Sequence, residues 1–148
     1  MRTDMRWRPG ALELLEEIAE TATTVALVTN TTADVAQVPL EFIDRSRFDV
    51  VVTGCMVTRG KPAPDPYLLA CRELGVDPGR AVAVEDSVTG ATAAVAAGCR
   101  VLYVPSTDGQ PDVAGARTHP TLAGVGLTGL HTLTSRAPVY VVVGESGT

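Results

Sequence analysis

Three polar positions in this sequence follow short apolar runs and carry groups that handle anionic oxygens or a hard cation. Thr29 comes straight after Val25-Ala-Leu-Val28 and is followed by Asn30 and Thr31. A hydroxyl at a strand tip, surrounded by the free amides of a turn, can hold phosphate oxygens. The plain alternative is an ordinary turn or cap residue. Lys61 sits in Arg59-Gly60-Lys61-Pro62-Ala63-Pro64-Asp65-Pro66, where a glycine before it and prolines after it restrict its path. A fixed ammonium neutralises charge on a phosphoryl group in both ground and transition states. The plain alternative is a solvated surface lysine. Glu85-Asp86 closes the apolar run Ala81-Val-Ala-Val84 and precedes Ser87. Two acids at the end of such a run suit Mg²⁺, which takes oxygen ligands and retains waters. Against this stands an Asp or Ser that merely caps the next helix.

These groups need elements to hold them. Val25 to Val28, Val50 to Val52, Ala81 to Val84 and Val101 to Val104 are short, apolar and largely β-branched, as parallel strands covered on both faces should be. Helical stretches alternate with them. Pro9 fits the first turn of a helix running to about Glu20, with Leu12, Leu15, Ile18 and Ala19 on one face. Asp65-Pro66 reads as an N-cap and first-turn proline for a helix that Gly75 ends. The alanine-rich stretch from Val88 to Ala97 stops at Gly98 in the same way. A weaker stretch over 33–43 is interrupted by Pro39. Alternation of this kind predicts an α/β fold, a three-layer, Rossmann-like parallel sheet with right-handed crossovers. In such sheets ligands gather beyond the carboxyl ends of the strands, where all three polar positions fall. The chain reads as one domain over 1–148, with its motifs over about 8–105 and an irregular part over 106–148.

Composition narrows the partners. The chain has 148 residues, 45% of them hydrophobic and 20% charged, enough for a single core. A net charge of -5 and the lack of any basic stripe argue against nucleic acid or an acidic membrane surface. No apolar run approaches membrane-spanning length, and the start has no signal-peptide core. Cys55, Cys71 and Cys99 form no CxxC pair, so zinc and disulfides are not expected, and reduced thiols point to the cytoplasm. His119 and His131 read as surface residues, and Trp7 and Tyr67 as isolated packing aromatics.

Taken in order, the segments resemble the haloacid dehalogenase (HAD)-like hydrolases, in particular the group with a cap inserted after the first strand. Arg8-Pro9-Gly10-Ala11-Leu12-Glu13-Leu14-Leu15 is similar to the helix that follows the cap, and Leu27-Val28-Thr29-Asn30 to the second motif. Gly60-Lys61-Pro62-Ala63-Pro64-Asp65-Pro66 is similar to the third motif, and Val84-Glu85-Asp86-Ser87-Val88-Thr89-Gly90 to the fourth. The resemblance implies Mg²⁺-dependent hydrolysis of small phosphate esters through an aspartyl-phosphate. It implies catalytic roles for Thr29 and Lys61, phosphate binding by Thr29, Asn30 and Lys61, and Mg²⁺ ligation by Asp86 with Glu85.

The sequence departs from the family in one respect that matters for chemistry. The family's first motif, of the Asp-x-Asp-Gly-Thr type, carries the nucleophile at the tip of a central strand, and nothing here matches it. Asp4 is followed by Met5 and Arg6 with no apolar run before it. The reading is therefore of a core without its first strand and cap, truncated or degenerate, that binds but hardly turns over phosphate. A non-catalytic phosphate and Mg²⁺ module, or an interaction protein that dimerises through open sheet edges, are the rival readings. The terminal run Val139 to Val143 has two placements. The plainer one extends the sheet edge or packs loosely. The other fills the vacant central slot.

Overall fold

Small and β-branched apolar residues form the strands, and burial on both faces leaves them little choice of partner beyond a covered sheet. A computed structural model of the chain describes residues 17, 24–29, 49–105, 109–121 and 140–145. The strands are β1 (Thr24–Thr29), β2 (Val50–Val52), β3 (Ala81–Glu85), β4 (Arg100–Tyr103), β5 (Ala116–Thr118) and β6 (Tyr140–Glu145). They make one sheet in the order β2-β1-β6-β3-β4-β5, with every neighbouring pair parallel. Of the helices expected over 9–20 and 33–43, only Glu17 is described, and it is helical. The rest of both stretches lies outside the described residues.

β6 takes the central slot, so the plainer expectation of an edge strand is overturned. It pairs with β1 from Thr24↔Tyr140 to Thr29↔Glu145 and with β3 from Ala81↔Tyr140 to Val84↔Val143. Both rows of its backbone groups gain ladder partners there, whereas an edge position would leave one row without them. Within the part after residue 106 expected to be irregular, β5 pairs with β4. Its Arg117 and Thr118 are exposed, and a three-residue polar edge strand has no periodic signal to read.

Two helices cover the same face of the sheet. Helix α1 (Asp65–Leu74) packs on β1 and β2, helix α2 (Val88–Ala97) on β3 and β4, and they touch each other. Asp65 is the first helical residue rather than the cap expected for it, and Pro64 takes the cap position. Pro66 then lies where a missing N–H costs nothing. Gly75, at φ 76°, closes α1 by donating to the Arg72 carbonyl at 3.1 Å, a left-handed turn that glycine enters without strain. α2 buries Ala91, Ala93, Ala94 and Ala97. Side chains this small let the helix lie close on β3 and bring its first turn against the end of that strand. With Val28, Val52, Tyr67 and Tyr103 these alanines form the core.

Candidate active site

The site grows from the carboxyl ends of β1 and β3, the two strands that flank β6. Lys61 reaches them from the loop before α1. Its Nζ donates to the Val28 carbonyl of β1 at 3.1 Å and to Glu85 Oε2 of β3 at 2.7 Å. The ammonium therefore spans the strand between them, whose Val143 pairs with Val84 and whose Gly144 pairs with Val28. The loop is itself pinned, since Ala63 N–H donates to the Gly60 carbonyl at 3.0 Å and Arg59 pairs with Asp65 at 3.1 Å. A solvated lysine is excluded: the Lys61 side chain is 2% exposed and that of Glu85 0%. Lys61 is also the only lysine in the chain, every other basic side chain except the two histidines being arginine. That is a compositional signal the motif reading did not use.

Glu85 ends a strand buried along its whole length. Burial drives its carboxyl above the ordinary glutamate range, and the Lys61 charge and hydrogen bonds from Lys61 and Tyr67 counter this only in part. Its Oε1 is buried without a hydrogen-bond partner among the described residues. The backbone carbonyl of Glu85 accepts from Val104 N–H at 2.7 Å, tying the strand end to the segment after β4. Asp86, half-buried, follows at once and leads into Ser87, whose Oγ accepts from Gly90 N–H at 3.0 Å and caps α2. The cap is therefore the serine, leaving both acids for other work.

Tyr67 belongs to this cluster, although the sequence reading left it as a packing aromatic. It is fully buried, its hydroxyl donates to Glu85 Oε2, and its ring centroid lies 5.5 Å from Lys61 Nζ. A hydroxyl at an inward position of an otherwise apolar helix face calls for a partner, and that was the available hint. Its own pKa is raised, first by burial and then by the Glu85 charge.

The remaining expected residues are only partly in view. Thr29 ends β1 and pairs in register with Glu145, which sets its backbone at the same sheet edge; its side chain and all of Asn30 lie outside the described residues. Among the described residues no group of three or more His, Cys, Asp or Glu side chains gathers. Two adjacent carboxylates with an unpaired buried oxygen still fit Mg²⁺, which commonly takes one or two protein carboxylates and completes its shell with water and phosphate oxygens. A depression of about 520 Å³ lined by Met56, Thr58, Leu68 and Arg72 contains none of these groups. Cys71 and Cys99 are free, and no described helix is long and apolar enough to cross a membrane.

Known proteins resemble this chain in sequence and fold. A family model for haloacid dehalogenase-like hydrolases matches residues 5–98. Protein CbbY of Cereibacter sphaeroides is 40% identical over 102 residues, covering 66% of this chain and 44% of that protein. Hexitol phosphatase A of Escherichia coli is 37% identical over 103 residues, covering 70% and 48%. The chain thus spans about half the length of these curated relatives. Among solved structures, CbbY from Rhodobacter sphaeroides in complex with phosphate superposes with a TM-score of 0.74 at 39% identity, covering 83% of this chain and 58% of that one. A β-phosphoglucomutase-like protein from Thermotoga maritima gives 0.72 at 32% identity, covering 86% and 59%.

Proposed function

This chain belongs to the haloacid dehalogenase-like hydrolase family, and we propose that it carries the phosphate- and Mg²⁺-binding residues of a site for Mg²⁺-dependent hydrolysis of small phosphate esters. The observation that carries this reading is the sole lysine, buried at the ends of β1 and β3 and paired with Glu85. A buried ammonium at the carboxyl end of a parallel sheet has little purpose in stability, since an apolar pair of similar size would serve as well. Its fixed charge is suited to a phosphoryl group.

In this reading Lys61 neutralises the phosphate, with the Thr29 hydroxyl and Asn30 as further donors. Asp86 and Glu85 hold Mg²⁺, which supplies charge neutralisation at the transferring group. Glu85 also orients Lys61. The name of hexitol phosphatase A supplies the class, a small phosphorylated molecule, and the free thiols suit a cytoplasmic setting. Nothing in the sequence matches Asp-x-Asp-Gly-Thr, so the chain as given binds phosphate and Mg²⁺ but does not form an aspartyl-phosphate.

The test is hydrolysis of an aryl phosphate by the purified chain with and without Mg²⁺, with inorganic phosphate binding followed by calorimetry. The expected result is no turnover, with phosphate binding that strengthens with Mg²⁺ and loses that Mg²⁺ response in Asp86→Asn. Mg²⁺-dependent turnover abolished by Asp86→Asn would establish the activity and place a nucleophile elsewhere in the chain. A folded chain that binds neither ligand would overturn the reading.

A further inference from the structure

Tyr67 touches both members of the buried ion pair. Its hydroxyl donates to the same Glu85 oxygen, Oε2, that accepts from Lys61, and its ring flanks the ammonium at 5.5 Å. The other oxygen, Oε1, has no hydrogen-bond partner among the described residues and faces Gly90. A glutamate χ3 torsion is broad, so a carboxylate held by one donor can swing. Two donors converging on one oxygen from different elements, α1 and the preceding loop, restrict that swing. The ring adds an electrostatic floor beneath the cation.

We propose that Tyr67 is a positioning residue of the phosphate site: its hydroxyl clamps Glu85 and its ring backs Lys61, so that the ammonium stays at the ends of β1 and β3. The purpose of the clamp rests on the function proposed above, but the clamp itself does not.

The chain's single lysine makes the test direct. Selective ¹³Cε/¹⁵Nζ labelling of lysine gives one side-chain ammonium signal from the full chain. Tyr67→Phe keeps the ring and removes only the hydroxyl. The expected result is a shifted Lys61 signal whose protons exchange roughly tenfold faster, and roughly tenfold weaker binding of inorganic phosphate, in a chain folded by circular dichroism. A tyrosine that only packs would leave the Lys61 signal where it was, and that result overturns the proposal. Combining Tyr67→Phe with Glu85→Gln should give no further change in the signal, and additive changes count against the clamp. A measurement on the unaltered chain covers the case in which Tyr67→Phe fails to fold. The Tyr67 hydroxyl proton should exchange slowly and cross-relax with the Lys61 Cε protons, and its absence overturns the proposal equally. A Lys61 signal that responds to Tyr67→Phe in a chain blind to phosphate would sink the phosphate reading and leave the clamp standing. Phosphate binding with an unmoved signal would do the reverse.

Discussion

Gly90 in the first turn of α2 lies directly against the Glu85 carboxylate: a Cβ placed on Gly90 would fall 1.9 Å from Glu85 Oε1 and 2.2 Å from its carboxyl carbon. The glycine is buried and helical, so its role is space rather than an unusual backbone angle. Glycine inside a helix ordinarily costs about 0.5–1 kcal/mol relative to alanine. Here the sign should reverse. Gly90→Ala should destabilise the chain by about 1–3 kcal/mol through overpacking and displace Glu85 from Lys61. Urea denaturation measures the first effect and the Lys61 ammonium signal the second. A stabilised variant with an unmoved signal would mean that Glu85 has room to spare.

Removing Lys61 should cost more than removing the pair. Lys61→Met leaves the Glu85 carboxylate buried with, among the described residues, the Tyr67 hydroxyl alone to stabilise its charge, for a loss of about 3–5 kcal/mol. The double variant Lys61→Met/Glu85→Leu removes both charges and should recover most of that loss. Denaturant midpoints of the two variants decide it. Equal stabilities would show that the carboxyl simply protonates when its partner leaves.

The same carboxylate should leave its mark on the pH profile. Burial raises Glu85 above its ordinary value of 4.5 despite the pull of Lys61 in the other direction. Between 4.5 and the raised value the folded chain holds a proton that the unfolded chain has lost. Folding therefore takes up a proton in that window, and this group's contribution to stability falls as pH rises through it. Below 4.5 both states are protonated and the penalty is absent. Glu85→Gln cannot titrate, so the wild type should lose stability relative to it as pH climbs above 4.5. Parallel profiles for the two proteins would show that Glu85 keeps an ordinary pKa.

How legible was this in the sequence? Strand and helix positions followed from local pattern: Val50–Val52 and Val88–Ala97 are bounded in the structure as the runs and the Gly98 stop imply. Lys61, Glu85 and Asp86 stood out because prolines and a strand end restrict them. What local pattern does not carry is who meets whom. Glu85 is 24 positions from Lys61, and Tyr67 joins the pair from the first turn of α1, 18 positions from Glu85. An aromatic on a helix looks the same in sequence whether its hydroxyl finds a carboxylate or nothing. Cys71 and Cys99, far apart in the chain, are likewise both buried in the one core cluster. The terminal run was ambiguous for a different reason. Being apolar on both faces is what a central strand requires, yet it does not say between which neighbours the strand lies.

That placement is open to a direct test at Val142, which pairs with Ala26 of β1 on one side and with Ala83 of β3 on the other. Proline has no N–H, and its ring disrupts the ladder, so in sheets it is confined to edges and bulges. At an edge or in a loosely packed tail, Val142→Pro would be tolerated. In the central slot it breaks the sheet between the two strands that carry Val28 and Glu85, the acceptors of Lys61. We expect a loss of about 3 kcal/mol or more, together with loss of the ordered Lys61 signal. Amide exchange offers the complementary view. Val141 to Val143 should be among the slowest-exchanging amides of the unaltered chain if β6 holds the sheet together. Rapid exchange there, with a stable Val142→Pro variant, would return the run to the periphery and leave β1 and β3 to be joined by some other strand.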